Sequence, residues 1–269
     1  MLNLPLTHDF TGKVVVVTGA GGVLCGDMAR AYAQAGAKVA ALDLNEAAVL
    51  KLAEEVTAEG FIMKGYKANV LELEALEAVH QQILADLGPC DILINGAGGN
   101  NPRATCDNEY HHEAWEGCKT FFDLDQSGVD FLFKLNFQGT LLPTQVFAKD
   151  MVEKKSGNIL NISSMNAYIP LTKIPAYSGA KAAISNFTQW LATYFAGSGI
   201  RCNAIAPGFL VSNQNRALLF NEDGTPMGRF VDSAELLGGM LFLTDDAFAS
   251  AVTGVVLPID AGFAAYSGV

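Results

Sequence analysis

Short apolar runs rich in β-branched residues recur along the chain, and segments with helical spacing of apolar positions lie between them. Buried strands are predicted at VVVVT (14–18), KVAALD (38–43), DILIN (91–95) and NILNIS (158–163). The segments 26–36 and 45–60 carry apolar residues three and four positions apart and end on glycine, which is typical of amphipathic helices. Because strand and helix alternate, we predict an α/β fold with a doubly wound parallel sheet and helices on both faces.

Two segments interrupt this alternation. Residues 98–131 combine mixed charge with clustered aromatics, and residues 208–230, which include FNEDGTP, resemble a flexible flap. Long connections of this kind are usually functional, so we expect both segments near the ligand. The aromatic side chains expected to pack within the first segment are Tyr110, Trp115, Phe121, Phe122, Phe131 and Phe133. No repeat or linker divides residues 1–269, so a single domain is expected.

Composition and charge exclude several classes of protein. Half of the 269 residues are hydrophobic and only 17% are charged, which indicates a folded chain that buries further apolar surface between subunits. The net charge of -11 excludes a general nucleic-acid role, since phosphate binding needs clustered Lys and Arg. No apolar run reaches transmembrane length and the first residues lack a cationic leader, so we expect no membrane association and a cytoplasmic location.

The cysteines and histidines do not form a metal-binding pattern. Five scattered cysteines lack paired spacing, and adjacent His111 and His112 lack the spacing that places two ligands on one helix face. We therefore predict no disulfide framework and no metal, with the two histidines at the surface or in a pocket wall.

A glycine-rich turn joins the first predicted strand to the first predicted helix in VVVVTGAGGVLCGDMA. Gly19, Gly21 and Gly22 allow a pyrophosphate to approach the backbone N–H groups at the helix start, as in Rossmann-like sheets; a tight turn without a ligand is the alternative. Asp43 ends the next strand, where a carboxylate accepts hydrogen bonds from ribose hydroxyls and repels a 2′-phosphate. The pair predicts NAD(H), although Asp43 as a helix N-cap is the alternative.

Candidate chemistry lies in AYSGAKAAISNF, where Tyr177 and Lys181 are four residues apart and share one face of a helix. A neighbouring ammonium favours the phenolate, so we expect a lowered Tyr177 pKa and a role as general acid/base. Ser164, which follows NILNIS, can hydrogen-bond a developing alkoxide, and Asn136 in FKLNFQGT can fix a water beside Lys181. Taken singly, each of these residues also has a structural interpretation as turn former, surface helix residue or helix interruption.

Together, these residues resemble the short-chain dehydrogenase/reductase family over nearly the whole chain. NGAG (95–98), PG (207–208) and VLPIDAGF are similar to further motifs of that family. The resemblance implies catalysis by Ser164, Tyr177 and Lys181 with Asn136, Lys181 also binding the nicotinamide ribose and Ser212 lying near the carboxamide. It also implies assembly as a homotetramer or homodimer. The cofactor contacts that it implies are Gly19, Gly21, Gly22, Val23, Leu24, Asp43, Asn69, Val70, Asn95, Gly96, Ala97, Tyr177, Lys181, Pro207, Gly208, Leu210 and Ser212.

The sequence also departs from the family pattern. Val23 and Cys25 replace two glycines of the usual turn, and Asn69 stands where the family often has an adenine-binding Asp. The turn, the insertion 98–131 and the tract GFLVSNQNRALLFNEDGTP resemble a narrower fructuronate reductase/mannonate oxidoreductase branch, which implies D-mannonate and D-fructuronate as the substrate pair.

A sugar acid needs a cation for its carboxylate and amides for its hydroxyls. Substrate contacts are predicted for Arg103, Met165, Asn166, Asn213 and Arg216. Two alternatives stay open at this point: a dehydrogenase of another polyol or ketone, and an NAD(H)-binding sensor or scaffold without turnover. The altered glycine turn favours the sensor, whereas the intact serine, tyrosine and lysine oppose it.

Overall fold

A computed structural model describes residues 7–210 and 225–266 and shows one seven-stranded parallel sheet. Its strand order is β3-β2-β1-β4-β5-β6-β7, with the order reversing between β1 and β4. The strands are β1 (Val14–Thr18), β2 (Lys38–Asp43), β3 (Ile62–Lys67), β4 (Ile92–Asn95), β5 (Gly157–Ile162), β6 (Ile200–Pro207) and β7 (Val256–Ile259). The predicted single-domain, Rossmann-like doubly wound fold is confirmed.

Helices connect the strands and cover both faces of the sheet. They are α1 (Val23–Gln34), α2 (Glu46–Ala58), α3 (Leu73–Asp86), α4 (Gln126–Phe133), α5 (Gly139–Lys154), α6 (Pro175–Tyr194), α7 (Ser233–Thr244) and α8 (Asp246–Ala249). None of the helices within the described ranges is long and apolar enough to cross a membrane.

The sheet separates two hydrophobic cores, and β1 shows why. Val15 and Val17 point into the core beneath α1, α2 and α7, whereas Val14 and Val16 point into the core beneath α3, α5 and α6. Alternate residues of a strand face opposite sides, so a strand buried on both faces must be apolar throughout. The uninterrupted VVVV run therefore specifies a central strand.

Most predicted boundaries are close to those observed. The predictions for β1 and β2 match, and α2 lies within the predicted segment 45–60. Helix α1 begins at Val23, three residues before the predicted start at 26, because the extended backbone of Gly22 ends the turn there. The Asn45 side chain accepts a 3.3 Å hydrogen bond from Ala48 N and caps α2, so the alternative of Asp43 as the N-cap is wrong.

The insertion 98–131 follows β4. It contains three single-turn 3-10 segments and then the start of α4. These segments are Pro102–Ala104, His111–Glu113 and Phe121–Asp123. Of the segment 208–230, the structure describes 208–210, at the end of β6, and 225–230, before α7. The central part of the predicted flap, 211–224, lies outside the described residues.

Candidate active site

The glycine turn lies against the end of β4, at the point where the strand order reverses. Gly19 has φ 74°, and a β-carbon there would come within 2.9 Å of the Ala97 Cα. Thr18 fixes this approach because its hydroxyl oxygen accepts hydrogen bonds from Gly96 N at 3.1 Å and Ala97 N at 3.3 Å. Ligands of doubly wound sheets bind at such a reversal of strand order.

The N-terminus of α1 opens into the same crevice. Gly22 is its N-cap and supplies no side-chain cap, while Gly21, Gly22 and Val23 are exposed and Leu24 is partly buried. Uncapped N–H groups at a helix start carry partial positive charge and bind phosphate. Val23 replaces a family glycine without closing this edge, because its side chain is 64% exposed.

Asp43 projects from the end of β2 onto the turn. Its carboxylate oxygens accept hydrogen bonds from Gly21 N at 3.0 Å and from Asn45 N at 2.8 Å. A β-carbon on Gly21 would lie 2.9 Å from the Asp43 Cγ, so the turn and the carboxylate are in direct contact. The acid and the open helix terminus therefore form one continuous surface.

The remaining residues predicted to contact the cofactor occupy different environments. Asn69 is half-buried and closes its own turn, accepting a hydrogen bond from Leu71 N, and Val70 packs against Gly139 at the start of α5. The Asn95 side chain lies in the core, where its amide donates to Thr144 and Asn161. Pro207 ends β6, Gly208 follows it, and Leu210 forms a bridge with Val231. Ser212 lies outside the described residues.

Tyr177 and Lys181 occupy the first turns of α6, which Pro175 begins. The Lys181 Nζ lies 5.6 Å from the centroid of the Tyr177 ring. Ser164, which follows β5 and is buried, lies close enough to the Tyr177 hydroxyl to lower the pKa of the phenol in part. The structure thus brings the predicted serine, tyrosine and lysine together at the carboxyl edge of the sheet.

Burial dominates the ionisation of this cluster. It lowers the pKa of Lys181 to about 8, and the ammonium donates a 2.8 Å hydrogen bond to Ile162 O. Burial also raises the pKa of Tyr177, although the neighbouring Ser164 side chain lowers it in part. The expected fall of the Tyr177 pKa next to Lys181 is therefore wrong for this chain, because removal from water disfavours the phenolate more than its neighbours favour it.

Asn136 lies in a π-helical segment, Lys134–Gln138, between α4 and α5. Its amide donates to Gly99 O at 2.9 Å and accepts from Gly99 N at 3.2 Å, so it clamps the chain just after β4. A β-carbon on Gly98 would lie 2.7 Å from the Asn136 Oδ1 and 3.4 Å from the Lys181 Nζ. Asn136 is therefore adjacent to Lys181, and π-helical turns often occur at functional sites.

The insertion forms a wall next to the tyrosine. Ala104 packs in one apolar cluster with Ala176, Ala180 and the Tyr177 ring, and Cys106 N donates to Lys173 O at 2.7 Å. Its aromatic side chains are not packed inside it as expected. Tyr110, Trp115, Phe121 and Phe122 are between 55% and 78% exposed, because segments of one turn are too short to enclose large rings.

The residues predicted to contact substrate are only partly placed near the catalytic cluster. Met165 and Asn166 directly follow Ser164 and are buried. Arg103 is exposed at the base of the insertion, and its backbone O accepts a 3.1 Å hydrogen bond from Asp125 N. Asn213 and Arg216 lie outside the described residues.

Two residues that shape the site were not predicted from the sequence. Thr18 joins the ends of β1 and β4, and Ser163 holds α6 by donating to Lys181 O at 3.2 Å and bonding the Ser185 hydroxyl at 2.7 Å. Both are hydroxyl residues directly at a strand end beside a predicted site residue, and that position was the available signal. Within the described residues, no group of three or more His, Cys, Asp or Glu side chains is placed to hold a metal ion.

Comparison with known proteins agrees with this geometry. The sequence profile described as short chain dehydrogenase matches residues 13–222. An uncharacterized oxidoreductase of Haemophilus influenzae is 60% identical, covering 100% of this chain and 99% of that protein. The uncharacterized oxidoreductase UxuB of Bacillus subtilis is 46% identical over 99% of this chain and its own full length.

A solved structure from Haemophilus influenza is also similar, with 60% identity, a TM-score of 0.94 and coverage of 97% of this chain and 98% of that one. It is named as a candidate D-mannonate oxidoreductase and contains bound NAD. The predicted family resemblance is confirmed: the chain belongs to the short-chain dehydrogenase family of oxidoreductases.

Proposed function

We propose that this protein is an NAD(H)-dependent oxidoreductase that interconverts a secondary alcohol and a ketone on a sugar acid or polyol, with D-mannonate and D-fructuronate as its substrate pair. The observation that carries the proposal is the cluster of Ser164, Tyr177 and Lys181 beside the uncapped N-terminus of α1. This arrangement supports proton transfer next to an edge that can bind a pyrophosphate.

Each catalytic side chain has a defined task. When bound, the nicotinamide supplies or accepts the hydride at the substrate carbon. In the direction of reduction, Tyr177 donates its phenolic proton to the oxygen that becomes the alcohol, and the Ser164 hydroxyl hydrogen-bonds that oxygen. The Lys181 ammonium, 5.6 Å from the ring, stabilises the resulting phenolate until it is reprotonated.

Asp43 supports the preference for NAD(H). Its carboxylate faces the glycine turn at Gly21, where it can accept hydrogen bonds from ribose hydroxyls and repel a 2′-phosphate. The similar Haemophilus structure contains NAD, which agrees with this assignment.

The substrate assignment rests on two observations. Asn166 brings a buried amide next to the catalytic serine, and Arg103 brings a guanidinium to the insertion that walls the site. An amide suits a hydroxyl group and a guanidinium suits a carboxylate. The name of the Haemophilus structure points to the same substrate class. Contacts from Asn213 and Arg216 stay predictions.

The proposal is tested by measuring NADH oxidation with D-fructuronate beside NADPH and a panel of keto-sugars and keto-acids. We expect turnover with D-fructuronate and NADH, and a loss of at least about 100-fold in kcat for Tyr177→Phe and for Ser164→Ala. The matched control is Tyr66→Phe, which removes a hydroxyl bonded to Asp86 on α3.

Other outcomes lead to different conclusions. Activity confined to another polyol or ketone would retain the mechanism and reject the substrate pair. Binding of NADH without turnover on the whole panel would favour the sensor or scaffold. Wild-type turnover by Tyr177→Phe would reject the mechanism.

The assembly is proposed to form across α5 and α6, where the outer faces of the two helices make an apolar groove. Phe187, Trp190 and Tyr194 stack along α6, and the last two are 54% and 65% exposed. A second copy of the same surface, related by a twofold axis, would cover these rings. The low proportion of charged residues, 17%, agrees with such burial.

A further inference from the structure

The amide of Asn166 is buried without a hydrogen-bond partner. Only 5% of the residue is exposed, and its Oδ1 accepts no hydrogen bond within residues 7–210 and 225–266. Three other buried amides also have an unpaired Oδ1, but each is held through its Nδ2. They are Asn95, which donates to Thr144 and Asn161, Asn108, which donates to Tyr110 O, and Asn158, which donates to Asp246.

Asn166 differs because its Nδ2 makes no hydrogen bond within the part of the chain that the structure describes, and this atom is not fully enclosed as the Oδ1 is. A buried polar group without a hydrogen bond destabilises a protein, and an apolar side chain of similar shape would avoid that cost. The fold therefore does not account for an asparagine at this position. A ligand that pairs with the amide does.

The position of Asn166 indicates which ligand this is. Its backbone N donates to the Ser164 Oγ at 3.2 Å, so the residue is fixed next to the hydroxyl that binds the reacting oxygen. It belongs to the 3-10 segment Met165–Ala167, which packs between α6 and β6. Anything bound to the amide would therefore lie close to the reacting carbon.

We propose that Asn166 binds the hydroxyl on the substrate carbon next to the one that is oxidised or reduced, and so selects α-hydroxy ketones over plain ketones. A hydroxyl both donates and accepts, which matches the two faces of an amide. The assignment rests on the proposed function, because it uses the reacting position that Ser164 and Tyr177 define. It makes Asn166 a specificity-determining residue of that site.

The test compares wild type with Asn166→Leu on two ketones: D-fructuronate and its analogue in which neither carbon next to the ketone carries a hydroxyl. We expect Asn166→Leu to lose about 10- to 100-fold in kcat/KM on D-fructuronate, mainly through KM, and to stay within about twofold of wild type on the analogue. Its thermal midpoint should be unchanged or higher, because leucine removes the unpaired amide.

The matched control is Asn158→Leu, which alters another amide with an unpaired Oδ1 at the opposite end of β5, and it should leave the ratio of the two substrates unchanged. Equal losses on both ketones, or none, would overturn the assignment while leaving the proposed function in place. If wild type does not reduce D-fructuronate, that substrate is rejected and the comparison uses erythrulose and 4-hydroxy-2-butanone. Turnover of neither pair overturns the proposed function and this assignment together.

Discussion

The side chain of Cys25 fills the space that a β-carbon on Gly96 would need, since the Cys25 Sγ would lie well inside contact distance of that carbon. Cys25 is one of the two residues that replace glycines of the family turn, and it is buried at the start of α1. Burial raises the pKa of its thiol to about 12, so the side chain stays a neutral packing group. The exchange at position 25 is thus tolerated because residue 96 has no side chain.

This pairing predicts that Gly96→Ala destabilises the fold by about 1 to 3 kcal/mol and weakens NADH binding, because the added methyl group overpacks the turn. Cys25→Gly in the same chain should restore part of both losses, because the added carbon would still lie 2.9 Å from the Thr18 O. The control is Gly99→Ala, since a β-carbon on Gly99 meets no atom within 4 Å. Denaturant unfolding and NADH titration measure the effects, and a Gly96→Ala variant as stable as wild type would disprove the pairing.

Asp43 is expected to set the choice between the two nicotinamide cofactors. In Asp43→Asn, one carboxylate oxygen becomes a donor, so either the Gly21 N–H or the Asn45 N–H loses its acceptor and the negative charge disappears. We expect kcat/KM for NADH to fall about tenfold while the ratio of NADPH to NADH turnover rises. Glu46→Gln, a neutralisation three residues away at the exposed start of α2, should leave that ratio unchanged.

Lys181 is predicted to be required for activity while lowering the free energy of unfolding of the protein. A lysine whose pKa falls from 10.5 to about 8 in the folded state destabilises the fold wherever it is charged, which is below pH 8. Lys181→Met should therefore be inactive but about 1 to 3 kcal/mol more stable near pH 7, less the lost hydrogen bond to Ile162 O.

The pH dependence provides an independent check of the lysine. As pH rises from 8 toward 10, the unfolded chain still binds the proton and the folded chain does not, so wild type gains stability and the difference from Lys181→Met shrinks. Lys51→Met, on the exposed face of α2, should show no such trend. A stability difference that does not change over this interval would contradict the buried-lysine explanation.

The central strands and the cluster of Ser164, Tyr177 and Lys181 could be predicted from the sequence because each follows from short-range geometry. A run such as VVVVT has one stable position, between two helical layers, and a spacing of four residues fixes Tyr177 over Lys181 on a helix. Strand β3 was not identified, because it lies at the sheet edge with Ile62 52% exposed. Strand β6 was not identified either, because it contains the polar residues Arg201 and Asn203. Their hydrogen-bond partners, Asp246 and Val252, lie more than forty positions away in the sequence.

The pKa of Tyr177 and the exposure of the insertion rings could not be predicted in the same way. Both depend on how much water remains around a side chain, which only the packing of distant segments determines. The spacing of Lys181 and Tyr177 alone therefore predicted a lowered pKa for the Tyr177 phenol, whereas burial raises that pKa.

The groove between α5 and α6 gives the last prediction, on assembly. Stable interfaces bury about 800 Å² on each partner and concentrate their free energy in central aromatic residues, and Trp190 lies between Phe187 and Tyr194 in the stacked row. We expect wild type to sediment as a dimer or tetramer at micromolar concentration and Trp190→Asp to sediment as a smaller species. Leu50→Asp, which places the same charge on an exposed position of α2, should assemble as wild type does. A wild-type monomer would reject the proposed assembly. A Trp190→Asp oligomer of unchanged size would show that the interface lies on another face of the protein.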